Sequence, residues 1–187
     1  MLLIVSAAVA TVVVIFVGWR WASRVWSLPC PSLVAWALES SFYRRITGTD
    51  KTLERIGLKP GHRVLEIGPG PGRLLIPAAQ RVLPDGEVVG IDIQLGMIER
   101  LRERTEAANI KNLTAIVGDA TQPVVAEASF DVVFLVTTLG EIPDRAAALA
   151  QSFRALKSGG VLSISEMLPD PHYQSKATVK RLAEGGS

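Results

Sequence analysis

Charged and apolar positions are spread unevenly along the 187-residue chain, and three stretches separate on that basis alone. Residues 1–19 carry no charged side chain and are built from Val, Ala, Leu, Ile and Phe. At about 1.5 Å of rise per helical residue, about 20 such residues match a hydrocarbon core about 30 Å thick. Arg20 and Arg24 follow at once, interleaved with Trp19, Trp21 and Trp26. Tryptophans are enriched at membrane–water interfaces and arginines on the cytoplasmic side. A cleaved leader would carry its basic residues ahead of the apolar core and small residues after it, the reverse of this order. The pattern predicts a single-pass transmembrane helix over 1–27, with the remainder of the chain on the cytoplasmic side.

The second stretch, 28–59, begins with the breaker Leu28-Pro29-Cys30-Pro31-Ser32. Leu33, Trp36, Ala37 and Phe42 then precede Arg44 and Arg45. Such a segment either lies along lipid headgroups or packs across the sheet ahead of the first strand. A short helix over 50–57 should turn Leu53 and Ile56 inward and close at Gly57.

From residue 60 short apolar runs alternate with amphipathic ones. Val64, Leu65 and Ile67 predict a buried strand over 64–67, interrupted by one carboxylate, Glu66. A helix over 74–82 ends at Pro84-Asp85-Gly86, a turn signature. A second strand covers 88–93. Over 97–108 Met97, Ile98 and Leu101 face one way, while Glu99, Arg100, Arg102, Glu103 and Arg104 form a solvated face. Strands over 113–117, 132–136 and 161–164 follow, with helices over 146–156 and about 175–184. This alternation calls for an α/β fold with a parallel sheet and right-handed crossovers.

The stretch with the most chemistry is Glu66-Ile67-Gly68-Pro69-Gly70-Pro71-Gly72-Arg73. A strand that turns into a helix at glycines lets a ligand approach bare backbone at the carboxyl end of the sheet. A dinucleotide loop reads G-x-G-x-x-G, whereas here the third glycine comes one residue early. Pro69 and Pro71 have no N–H to give a phosphate. The turn therefore suits a bulky ligand without a pyrophosphate, and speaks against a nicotinamide dinucleotide.

Composition narrows the choice further. A net charge of +2 is too small to point to nucleic acid. One cysteine excludes an internal disulfide and a cysteine-cluster metal site. His62 and His172 show no metal-ligand spacing, so no metal is expected.

The turn E-x-G-x-G-x-G after an apolar strand resembles motif I of the class I S-adenosylmethionine-dependent methyltransferases. Val88-Val89-Gly90-Ile91-Asp92, Val117-Gly118-Asp119-Ala120, Phe130-Asp131-Val132-Val133-Phe134 and the turn 156–162 are similar, in order, to that family's later motifs. The resemblance implies a Rossmann-like, doubly wound sheet of about five strands in the order 3-2-1-4-5. The family's usual sixth and seventh strands are not expected, because the chain ends after its last helix. It also implies S-adenosyl-L-methionine as cofactor, with Glu66, Gly68, Pro69, Gly70 and Gly72 at its amino-acid end. Asp92 would hold the ribose and Asp119 the adenine, with Ile93, Ala120 and Val136 packing against the ligand. The N/D-P-P-Y motif of many amine and amide methyltransferases is replaced by Thr137-Thr138-Leu139-Gly140-Glu141. Glu141, His172 and Tyr173 are the polar candidates for a base near the expected mouth.

The expected organisation is an anchor over 1–27, juxtamembrane helices over 28–59, a methyltransferase domain over 60–184 and a linker-like tail over 185–187. The expected activity is methyl transfer to a small amphipathic or lipid-like acceptor. The alternative is a catalytically silent S-adenosylmethionine-binding module.

Overall fold

The computed structural model describes residues 48–167, 170 and 172–185, with the single positions 11, 14, 17, 18 and 21. The expected anchor over 1–27, apart from those five positions, and the segment over 28–47 lie outside the described residues. The five isolated positions are helical and exposed. Among the described residues, no helix is long and apolar enough to cross a membrane.

Helix α1 (Thr49–Ile56) leads into β1 (Arg63–Ile67), α2 (Leu75–Arg81), β2 (Glu87–Asp92), α3 (Leu95–Ala107) and β3 (Leu113–Val117). Then come β4 (Phe130–Val136), a 3-10 turn (Leu139–Glu141), α4 (Arg145–Ala155), β5 (Leu156–Ser165) and α5 (Lys176–Gly185). The five strands form one sheet in the order β3-β2-β1-β4-β5, and every neighbouring pair is parallel. The expected alternation and order both hold.

Side-chain alternation along the strands divides the core in two. On one face Val64, Val88, Val132 and Phe134 pack with Leu53 of α1, Leu75 of α2 and Leu101 of α3. On the other, Leu65, Ile67, Val89, Ile91, Val133 and Leu135 pack with Leu149 of α4, and with Val179 and Leu182 of α5. Glu66 shares its side of β1 with Val64, so it enters the α1–α3 face. Beyond Arg63 and Asp131 at their starts, β1 and β4 are buried on both faces because helices cover both, with Glu66 the one charged residue inside.

Several boundaries shift by a residue or two, and two of the differences bear on the site and the sheet edge. β2 ends at Asp92, which leaves Ile93 outside the strand and 62% exposed. The turn expected over 156–162 instead belongs to β5, which follows α4 directly. Phe130 pairs with Leu156 and Val132 with Val161. The residues between Leu156 and Val161 therefore bulge out opposite Asp131 alone, so the glycines there serve a bulge inside a strand. Lys157 in this bulge binds Asp131 through Nζ at 2.8 Å.

Candidate functional site

The carboxyl ends of β1, β2 and β4 meet at the glycine turn. Its three glycines all have left-handed φ, +72° at Gly68, +53° at Gly70 and +85° at Gly72, but they do different work. A Cβ at Gly68 would collide with the Thr138 side chain, and one at Gly72 with Leu101 and Ile76. Both glycines therefore let the protein pack against itself. A Cβ at Gly70 would meet nothing nearer than Met97 Sδ at 4.0 Å. Gly70 is the open point of the turn, where a ligand can approach backbone.

The amides of the turn are all committed. Gly68 N donates to Ile91 O at 2.8 Å and Gly72 N to Pro69 O at 3.0 Å. Gly70 N donates to Asp92 Oδ2 at 3.1 Å. With Pro69 and Pro71 lacking N–H groups, the turn has no amide from 68 to 72 to aim at a phosphate. Pro69 lies against Gly90, where a Cβ would strike its ring and Leu75.

Asp92 organises the crevice from the end of β2. Its Oδ1 accepts from Gln94 N at 2.9 Å while Oδ2 holds Gly70. Burial pushes its carboxyl above the ordinary value, and these two backbone donors pull it back. Glu66 differs. Only 3% exposed, it has an Oε2 with no hydrogen-bond partner among the described residues. Burial, helped by the Asp92 charge and opposed by Arg73, pushes its carboxyl up to about 8. Burial thus raises both neighbouring carboxyls, and only Asp92 has backbone donors to oppose it.

Asp119 lies on the exposed turn after β3. Its Oδ1 is held by Thr121, from N at 2.9 Å and Oγ1 at 2.8 Å; the second oxygen takes no part in that turn. Beside it Ala120 is half-buried. Ile93, Leu95 and Val117 are all large, apolar and exposed at this edge of the sheet. Val136, 8% exposed, closes β4. The structure thus brings Glu66, the glycine turn and Asp92 into one crevice, with Ile93, Asp119 and Ala120 along its rim.

Three residues of this region were not singled out by the sequence. Thr137 is β-branched yet has a φ of +55°, a conformation that costs roughly 1–3 kcal/mol. Its N donates to Ser165 O at 2.8 Å, tying the end of β4 to that of β5. Thr138 then lands against Gly68. Arg104, read as part of a solvated helix face, is half-buried and donates to Pro71 O. No local pattern marks a charged residue on α3 as a clamp for a loop thirty residues earlier.

Of the candidate bases, Glu141 and His172 come together, with His172 Nδ1 3.9 Å from Glu141 Oε1. Asp170 Oδ1 lies 3.6 Å from the same nitrogen and accepts from His172 N at 2.7 Å. The His172 main chain packs so closely on Gly140 that a Cβ there has no room. Arg145 braces this turn by donating to Leu139 O and Gly140 O. Glu166, just beyond β5, has both carboxylate oxygens shut from solvent, with the Gln174 backbone N–H and the Arg145 charge acting to hold its carboxyl down. Burial and then Asp170 push it up to about 7. Tyr173 stands apart on the surface, 37% exposed.

Comparison with known proteins agrees with this geometry. Residues 58–184 match a family model described as a methyltransferase domain. Aklanonic acid methyltransferase DauC of Streptomyces sp. (strain C5) is 39% identical over 105 residues, 56% of this chain and 48% of that protein. Nocamycin O-methyltransferase of Saccharothrix syringae is 32% identical over 121 residues, 65% of this chain and 43% of that one. The chain thus spans just under half the length of these two curated relatives. A crystal structure of a SAM-dependent methyltransferase from Aquifex aeolicus shares the fold. Its TM-score is 0.78, over 85% of this chain and 89% of that one, at 22% identity.

Proposed function

Because the chain belongs to the methyltransferase-domain family, whose methyl donor is S-adenosyl-L-methionine, we propose that it is a membrane-anchored methyltransferase acting on a small amphipathic or lipid-like acceptor. The observation that carries the donor site is the pairing of Gly70, open on its Cβ side, with two adjacent buried acids, Glu66 and Asp92. A cationic, phosphate-free ligand fits that arrangement. Glu66 has an unsatisfied oxygen for an ammonium, and the turn has no amide for a pyrophosphate.

In this reading Glu66, Pro69 and Gly70 receive the amino-acid end of the donor, while Gly68 and Gly72 hold the turn in shape. Asp92 accepts from the ribose hydroxyls with the lone pairs that Gly70 and Gln94 leave over. Asp119 accepts from the adenine amino group, and exposed Ile93, with Ala120 and Val136, supplies apolar contact. The donor brings a methyl group on a sulfonium, a good leaving group. The protein then has to align acceptor and methyl and keep water out. Glu141 and His172 are the groups placed to take a proton on the acceptor side, and Tyr173 lies farther out. Two relatives carry the names of the compounds nocamycin and aklanonic acid, which supports a small acceptor by analogy.

Asp92→Ala is expected to weaken S-adenosylmethionine binding by roughly 1.5–3 kcal/mol, through loss of charge-assisted hydrogen bonds. Calorimetry reads this directly, and wild-type affinity in the variant would remove Asp92 from the site. A thermal shift by S-adenosylmethionine and none by NAD tests the donor assignment. Labelled methyl appearing in a lipid extract tests the acceptor class, while binding without any turnover would favour the silent module.

The anchor is supported by the uncharged run over 1–19, by Arg20 and Arg24 among tryptophans, and by helical, exposed Val14, Val17 and Trp21. About 35 residues at no more than about 3.5 Å each would hold the crevice within about 120 Å of the bilayer, and several-fold closer where that segment is helical. Tethering raises the effective concentration of an acceptor in the same membrane and does nothing for a soluble one. Deleting residues 1–26 should therefore reduce turnover of an amphipathic acceptor in vesicles far more than that of a soluble surrogate. Equal losses would remove substrate access as the role of the anchor.

A further inference from the structure

We propose that Glu66 is a proton-linked seat for the α-ammonium of the methyl donor, holding a proton in the donor-free protein and releasing it to solvent as the donor docks. This rests on the S-adenosylmethionine reading above and adds the protonation chemistry of the site.

Glu66 is almost fully buried, and its Oε2 has no hydrogen-bond partner among the described residues. A charge in that position lacks both water and a donor, so the neutral acid is the favoured form. Among the described residues two charged groups act on it. Asp92 faces it from the end of β2 and disfavours ionisation, while Arg73, beyond the glycine turn, favours it. The strand neighbours in register, Gly90 and Phe134, bring no charge. The helices on this face of the sheet bring Leu53, Leu75 and Leu101.

Arg73 does not offset burial. Its guanidinium also reaches Thr49 Oγ1 at 3.5 Å, and burial remains the largest influence on Glu66. Asp92 has two backbone donors for its carboxylate, whereas Glu66 Oε2 has none among the described residues. A docking ammonium supplies what the pocket lacks, a cation with N–H donors for Oε2 beside two acids. The O–H bond of Glu66 breaks, its proton passes to bulk water, and an N–H···O bond from the ammonium replaces it. No oxidant or further reactant enters the balance.

The test is calorimetric titration of the full chain at pH 6.5, in two buffers of different ionisation enthalpy. S-adenosylmethionine should release about one proton per molecule bound, and affinity should rise about tenfold from pH 6 to pH 7. S-adenosylhomocysteine carries the same ammonium without the sulfonium and should release the same amount. Glu66→Gln should bind with no net proton release and with an affinity flat over that range. A buffer-independent binding enthalpy in the wild type overturns the proposal and leaves the donor site standing. Release with S-adenosylmethionine but not with S-adenosylhomocysteine overturns the ammonium seat, as does release that persists in Glu66→Gln. No binding of either compound overturns both the proposal and the reading beneath it. The wild-type titrations decide the matter even if the variant fails to fold.

Discussion

In the absence of donor, Glu66→Gln is expected to be more stable than the wild type at pH 8.5 and close to it at pH 5. The folded protein holds the Glu66 carboxyl near 8, against an ordinary value of 4.5. Between those values the folded chain keeps a proton that the unfolded chain has released. The contribution is fully present below 4.5 and is lost as pH rises through about 8. One proton per molecule corresponds to about 1.4 kcal/mol per pH unit, so the whole window amounts to on the order of 5 kcal/mol at most. Glu166, raised to about 7, has the same sign and gives both proteins a smaller shared decline. The Asp131 carboxyl is lowered: although burial raises it, the Lys157 side chain and the Arg63 amide outweigh that effect. Its contribution is lost only at acid pH. The difference between the two denaturation curves therefore isolates Glu66. Parallel curves from pH 5 to pH 8.5 would mean that Glu66 ionises in the folded protein as freely as in the unfolded one.

Gly70→Val should cost about 1–2 kcal/mol of stability, because a β-branched residue is held at a φ of +53°. Its side chain meets no protein atom closer than Met97 Sδ, so the fold survives. It does fill the space through which the donor would reach the backbone, and S-adenosylmethionine affinity should fall roughly 100-fold or more, about 2.7 kcal/mol. Gly68→Val is the informative partner. There the new side chain runs into Thr138, and strain and overpacking together should cost roughly 2–5 kcal/mol of stability. Circular dichroism, chemical denaturation and calorimetry on both variants separate the two roles. Wild-type binding by a folded Gly70→Val protein would place the donor elsewhere.

The contrast between those two glycines marks where sequence reading stops. The spacing of Gly68, Gly70 and Gly72 is visible in the chain, and so is the strand-to-helix turn they make. Which of them leaves open space beside it and which meets Thr138 or Leu101 depends on side chains about 30 to 70 residues away. The amphipathic period of α3 likewise put Met97, Ile98 and Leu101 inside, yet could not show that Arg104 reaches back to Pro71. The pair Lys157-Ser158 before Gly159-Gly160 reads locally as a turn. Only pairing with Phe130 and Val132 on β4 makes it a bulge within a strand.

What the sequence by itself determined is whatever rests on local periodicity and short-range backbone chemistry. That covers five strands alternating with helices and acids at the ends of β1 and β2, while the strand order came from the motif resemblance. It also covers a proline-interrupted turn unsuited to phosphate. What the tertiary structure decided is the electrostatic state of those acids and the company they keep. Asp92 and Glu66 are both strand-end carboxylates in the chain. In the fold one receives two backbone amides and the other leaves an oxygen without a donor. Glu141, His172 and Asp170 are brought together only when the segment after β5 packs on the turn after β4. Protonation follows from desolvation and from neighbours across the sheet, and neither quantity exists until the chain has closed around them.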